Sequence, residues 1–226
     1  MTRSALTYAW TIIALGTLIL IGAACLWQPA NATAFGVCLA LALFASTLKL
    51  KLPELTETLS PGFVFLLVSV ATLSWPETVV IAAASGFIQS RWRPQTPPTR
   101  LQTAFAGATL AIAGGLTYGV TWSLAALRGP DTLALTLGVA ALVLLVSNTL
   151  IVATILCLIK EAPFHTVWRS VHRRAVPYYL AGGVIANVWA RADLTAPAGF
   201  ALLAAISVYL LSLCIREFAV PLCERR

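Results

Sequence analysis

Apolar residues occupy long blocks broken by short polar or proline-bearing interruptions, without the strict two-residue alternation that marks half-buried strands. The blocks predict helices. Residues 6–27, 34–50, 103–125 and 132–159 each fall within or beyond the roughly 17–25 residues that carry a helix across a bilayer. Residues 62–75 and 78–90 form a different unit, two apolar runs separated only by Pro76 and Glu77. Together they are too long for one span. At helical pitch the first rises about 21 Å, against a hydrocarbon core of about 30 Å. Pro76 lacks a backbone donor and biases Trp75 away from helix, so a turn is expected there. Residues 52–93 are thus expected to make a broken hairpin around which the other spans gather.

Further along, the period changes. Between 160 and 176, Phe164, Val167, Trp168, Val171 and Ala175 recur at helical spacing, while His165, Arg169, His172 and Arg173 fall on other faces. This predicts an amphipathic helix with a basic side, lying in the cytoplasmic headgroup layer. Pro177 is expected to start a short seventh span, 178–189, and 199–215 an eighth. The fold class that follows is all-α: one integral membrane domain over 1–226, a polytopic bundle of about eight transmembrane helices. Six or seven spans with a re-entrant hairpin is the alternative topology.

Composition narrows the class. Of 226 residues, 59% are hydrophobic and only 10% charged, which excludes an ordinary soluble domain. The formal charge of +7 sits mainly in short inter-span loops, so it indicates topology and no nucleic-acid partner. With both termini cytoplasmic and eight spans, all fifteen Lys and Arg except Arg128 and Arg191 fall on the inner side. Merging the two hairpin runs would destroy that asymmetry. The five cysteines show no metal-binding spacing and are read as small apolar residues, so neither a metal nor a cofactor is expected. Residues 6–27 are read as a span and not as a cleaved signal peptide.

Candidate chemistry is sparse. No HExxH, GxSxG or phosphate loop occurs, and a non-enzymatic protein is expected. Glu77 at the hairpin turn suits an N-terminal cap for the helix after it, and with Trp75 it is also a candidate for recognising a ligand. Asn148, in the polar triplet Ser147-Asn148-Thr149, needs a partner among apolar helices, as does Asn187; with Tyr178 they complete the candidate ligand-binding residues. Gly107, Ala111, Gly115 and Gly119 recur every four residues and predict a close-packing ridge, on which Gly115→Leu is expected to disrupt folding or assembly. Gly182 and Gly183 predict a second packing surface. Phe164, His165, Trp168, Arg169, His172, Arg173 and Arg174 are the candidate membrane-surface and partner-binding residues; the two histidines are read as a solvated interfacial pair rather than metal ligands.

Several stretches together resemble a known module. Leu52-Pro53, Thr58-Leu59-Ser60, Phe63 to Phe65, Leu73-Ser74-Trp75-Pro76-Glu77-Thr78 and Gln89-Ser90-Arg91-Trp92-Arg93 are similar to the polytopic membrane region found ahead of GGDEF and HD-GYP domains in some bacterial signalling proteins. Ser147-Asn148-Thr149, Val167-Trp168-Arg169 and Val176-Pro177-Tyr178-Tyr179-Leu180 continue the likeness over nearly the whole chain. The resemblance implies an input module of the bacterial inner membrane. Because the chain ends at Arg226 without a catalytic domain, it implies signalling through a cytoplasmic partner. In hydropathy the chain also looks like the substrate-binding subunits of energy-coupling vitamin transporters, which implies a transporter partner instead. A structural subunit of a membrane complex and a homo-oligomer complete the expectations, with the lipid bilayer as partner in every case.

Overall fold

Gly62 through Val70 are buried without interruption. A helix apolar all round is stable only when other elements cover every side, and this one, α3 (Gly62–Thr72), is the element on which the fold is built. Around it stand α1 (Arg3–Cys25), α2 (Ala32–Thr47), α4 (Trp75–Arg91), α5 (Arg100–Arg128), α6 (Leu133–Lys160) and α7 (Phe164–Arg191). The computed structural model describes residues 2–28, 31–48, 50–51, 58–92, 97–128, 133–191 and 209. Apart from a two-residue antiparallel pairing, Leu50 with Leu59 and Lys51 with Thr58, its regular structure is helical.

Three helices, Arg3–Cys25, Arg100–Leu127 and Leu135–Lys160, are long and apolar enough to cross a membrane, which is compatible with a membrane protein. Ala32–Thr47 and Gly62–Thr72 are apolar but shorter. The expected eighth span, 199–215, lies outside the described residues except for Tyr209.

Side chains and glycines fix the helices against one another. The Thr2 hydroxyl accepts from the Ala5 N–H at 3.3 Å and donates to the Leu158 carbonyl at 3.0 Å, which joins the start of α1 to the end of α6. The Tyr8 hydroxyl repeats the link two turns on, donating to the Ile151 carbonyl at 3.3 Å. A Cβ on Gly16 would stand 2.5 Å from the Ala108 Cβ, so α1 and α5 approach as closely as glycine permits. Gly86 plays the same part between α4 and α5, where a Cβ would meet the Ala106 carbonyl oxygen at 2.5 Å.

The expected ridge on α5 is only partly used. Cβ atoms at Gly107 and Gly115 would lie 3.3 Å from the Ala83 carbonyl oxygen and 3.5 Å from the Trp75 indole nitrogen, and Ala111 is buried. Gly119, by contrast, has nothing within 4 Å of its Cβ position. The reason is geometric: α4 begins at Trp75, level with Gly115, and one turn further α5 has outrun its neighbour. Gly182 faces the Phe63 ring, and a Cβ on Gly183 would meet the Ala141 Cβ at 3.2 Å and the Leu137 carbonyl oxygen at 3.3 Å.

Two local expectations are corrected. The chain turns at Leu73 and Ser74, ahead of Pro76, which lies inside the first turn of α4. There its missing N–H has no helical partner to lose, so the proline starts the helix. Pro177 is likewise interior, because α7 runs unbroken from Phe164 to Arg191. Buried Ala175, Tyr178 and Tyr179 anchor the helix on both sides of the proline, and packing overrides its local bias. The basic segment is therefore not a separate surface helix. It is the first half of α7, antiparallel to α6: His172 Nδ1 lies 3.4 Å from the Thr149 hydroxyl, and Gly183 lies against Leu137.

Candidate functional site

Trp75 and Glu77 lie at one end of α3 and Asn148 and Tyr178 at the other, about 16 Å apart at eleven residues of helical rise. At the C-terminal end the chain breaks and restarts as α4. The Leu73 N–H donates to the Ser69 carbonyl at 2.9 Å, and the Trp122 indole N–H donates to the Val70 carbonyl at 3.2 Å. These bonds close part of the helix end, where the last carbonyls have no intrahelical donor. The restart is held by Glu77. Its Oε2 accepts from the Ser74 N–H at 2.9 Å and from the Ser74 hydroxyl at 2.6 Å, placing an acid in the first turn of α4. That position satisfies orphan donors and complements the positive end of the helix dipole.

Capping does not account for the whole carboxylate. Glu77 is 1% exposed, and its Oε1 has no hydrogen-bond partner; the hydroxyl of neighbouring Thr78, wholly buried, has none either. Among the described residues, Cys38 on α2 and Tyr118 on α5 lie within electrostatic reach of Glu77. Trp75 is half-buried, its ring edge facing Gly22 of α1 and its indole nitrogen facing Gly115 of α5. The Tyr118 and Trp122 rings lie 5.7 Å apart between centroids, tilted at 33°, and both Trp122 and Thr72 are open to the outside. The break is thus a buried carboxylate beside an aromatic pair, with one exposed flank.

The N-terminal end of α3 is neutral and aromatic. Phe63 lies 4.5 Å from the Tyr179 ring and 4.7 Å from the Tyr178 ring, an approach that the bare Gly182 allows. Helical side chains lean toward the start of their own helix, which carries the Tyr179 hydroxyl down to Asn148, whose amide nitrogen donates to it at 3.3 Å. Ser147 and Thr149 instead return their hydroxyls to α6 itself, at the carbonyls of Val143 and Leu145. The Tyr178 hydroxyl is buried without a partner. Ser60 braces the start of α3, accepting from the Gly62 N–H at 3.3 Å and donating to the Ala45 carbonyl at 3.0 Å.

Trp75 and Glu77 therefore belong to one site, Asn148 and Tyr178 to another. Asn187 stands further along α7. It is half-buried on α7, eight residues or about 12 Å beyond Tyr179. Lower on α7, Phe164, Trp168 and His172 stack in sequence, with Trp168 and His172 ring centroids 4.5 Å apart. His165 and Arg169 are exposed, and the side chains of Arg173 and Arg174 lie outside the described residues. His172 is half-buried against α6 rather than a solvated partner of His165, since the helix pair carries it up to Thr149. Phe63, Tyr118, Trp122 and Tyr179 were not site candidates from the sequence, although Phe63 and Tyr179 fall in stretches that carry the resemblance. Tyr179 sits beside a chosen residue, but Phe63 is one apolar residue in an apolar run, and hydropathy does not separate it from its neighbours.

No family model, curated protein or solved structure matches this chain.

Proposed function

We propose that the protein is a multi-pass component of the bacterial inner membrane, an eight-span bundle with both termini cytoplasmic, that serves as a non-enzymatic sensor or input module. A small ligand binds at the interrupted pair α3–α4, and the resulting shift in helix packing passes through α7 and α6 to a cytoplasmic signalling partner. The observation that carries this reading is the interruption itself: α3, buried on every side, stops after eleven residues beside a buried carboxylate. Broken helices inside a membrane bundle are tolerated where the freed backbone lines a site. The route outward is physical contact. Phe63 of α3 packs on Tyr178 and Tyr179, and α7 continues from these to the Trp168–His172 stack and Thr149 of α6.

The same interruption favours a second reading, the substrate-binding subunit of a vitamin-like transporter, because transporters build midplane sites from discontinuous helices. Native mass spectrometry of the protein extracted with its lipids and neighbours separates the two. A retained small molecule with a signalling enzyme is expected for the input module; a retained small molecule with an ATPase-containing partner would transfer the assignment to transport. A bare chain with neither ligand nor partner would contradict both.

A further inference from the structure

We propose that the break between α3 and α4 binds an organic cation, with the Glu77 carboxylate as counter-ion to a primary ammonium group. The inference rests on the reading that ligand binds at the interrupted pair, and it names the charge that the ligand carries there.

Charge leads to this assignment. The C-terminus of α3 contributes about −0.5 of an elementary charge and the N-terminus of α4 about +0.5, which nearly cancel across the break and leave the carboxylate's own charge. Glu77 is 1% exposed, so that charge is not met by water. Both hydrogen bonds from Ser74 fall on Oε2, and Oε1 has no partner. A buried ion with an unused acceptor is strongly disfavoured unless something positive completes it.

The acceptors on offer suit an ammonium. Such a group brings three donors. The break offers Glu77 Oε1 and, on the next residue of α4, the buried Thr78 hydroxyl, both without a partner, while the Ser69 and Val70 carbonyls at the end of α3 are taken by Leu73 and Trp122. Trp75, Tyr118 and Trp122 supply aromatic surface for the rest of a cation. Among the described residues no three His, Cys, Asp or Glu side chains gather as a metal site, which argues against a divalent ion. Exposed Thr72 and Trp122 mark the side from which a ligand enters.

The test uses the full chain in mild detergent, with methylammonium chloride as probe and sodium chloride and neutral acetamide as controls. Methylammonium is expected to raise the thermal unfolding midpoint saturably, while sodium at equal ionic strength and acetamide do not. Glu77→Gln keeps an acceptor for Ser74 but removes the charge, and should weaken the methylammonium effect roughly tenfold or more. Thr78→Val removes a hydroxyl that has no partner in the fold, and should weaken it several-fold even if the glutamine variant does not fold. An equal response to sodium, or wild-type methylammonium binding in both variants, would overturn the site. So would an infrared carboxylic-acid band in the wild type that is lost in Glu77→Gln, since a proton would then complete the carboxylate. A small molecule still retained in native mass spectra without any methylammonium effect would overturn the cationic site alone.

Discussion

The two ends of α3 solve the same problem in opposite ways. Both bring polar atoms into a region surrounded by apolar helices. At the start of α3 the polar groups are neutral: Asn148 donates to Tyr179 and Ser60 bridges Gly62 and Ala45, while the Ser46 and Tyr178 hydroxyls have no partner. At its end a carboxyl group is buried, and only one of its two oxygens is answered. Neutral aromatic packing holds helices together, whereas a buried carboxyl with one oxygen unanswered is costly to keep for structure alone. On that difference rests our proposal that the first end anchors and the second binds.

The largest way to break this contrast is Phe63→Ala. It empties the contact with both tyrosines, and a loss of about 3–5 kcal/mol in unfolding free energy is expected from denaturation in detergent. Little change would mean that the neutral end is not the anchor. At the other end, Glu77→Ala should cost about 1–2 kcal/mol more than Glu77→Gln, since only the alanine loses the acceptor at the start of α4. The tyrosines offer a finer comparison. Tyr179→Phe strands Asn148 and should cost about 1 kcal/mol, while Tyr178→Phe removes an unpartnered hydroxyl and should fall within about 0.5 kcal/mol of wild type. The smallest effect is on the α5 ridge: Gly119→Ala should change stability by less than about 0.5 kcal/mol, whereas Gly115→Leu, crowding Trp75 and Val79, should prevent a monodisperse product. Equal tolerance at both positions would remove the reason given for where the ridge ends.

Hydropathy made the helices legible because the block pattern depends on burial, and α1, α5 and α6 follow it closely. The interruption after α3 was legible for a related reason: two short apolar runs need a break somewhere. Its exact position was not, because Pro76 suits the first turn of a helix as well as a turn between helices. Pro177 misled in the same direction, a local bias outweighed by packing on Tyr178 and Tyr179. Glu77 stood out as a lone acid in an apolar stretch, and the capping bonds to Ser74 follow from spacing. What spacing does not carry is which distant residues arrive beside it. Tyr118 and Trp122 reach the break only because α5 lies along α4, and Phe63 matters only because Gly182 lets it between two tyrosines.

The most direct test of the central claim compares wild type and Glu77→Gln by native mass spectrometry after identical gentle extraction. If the interrupted pair is the binding site and Glu77 its counter-ion, wild type retains a small molecule that the glutamine variant, folded and carrying the same lipids, has lost. Equal retention by both proteins would contradict the claim.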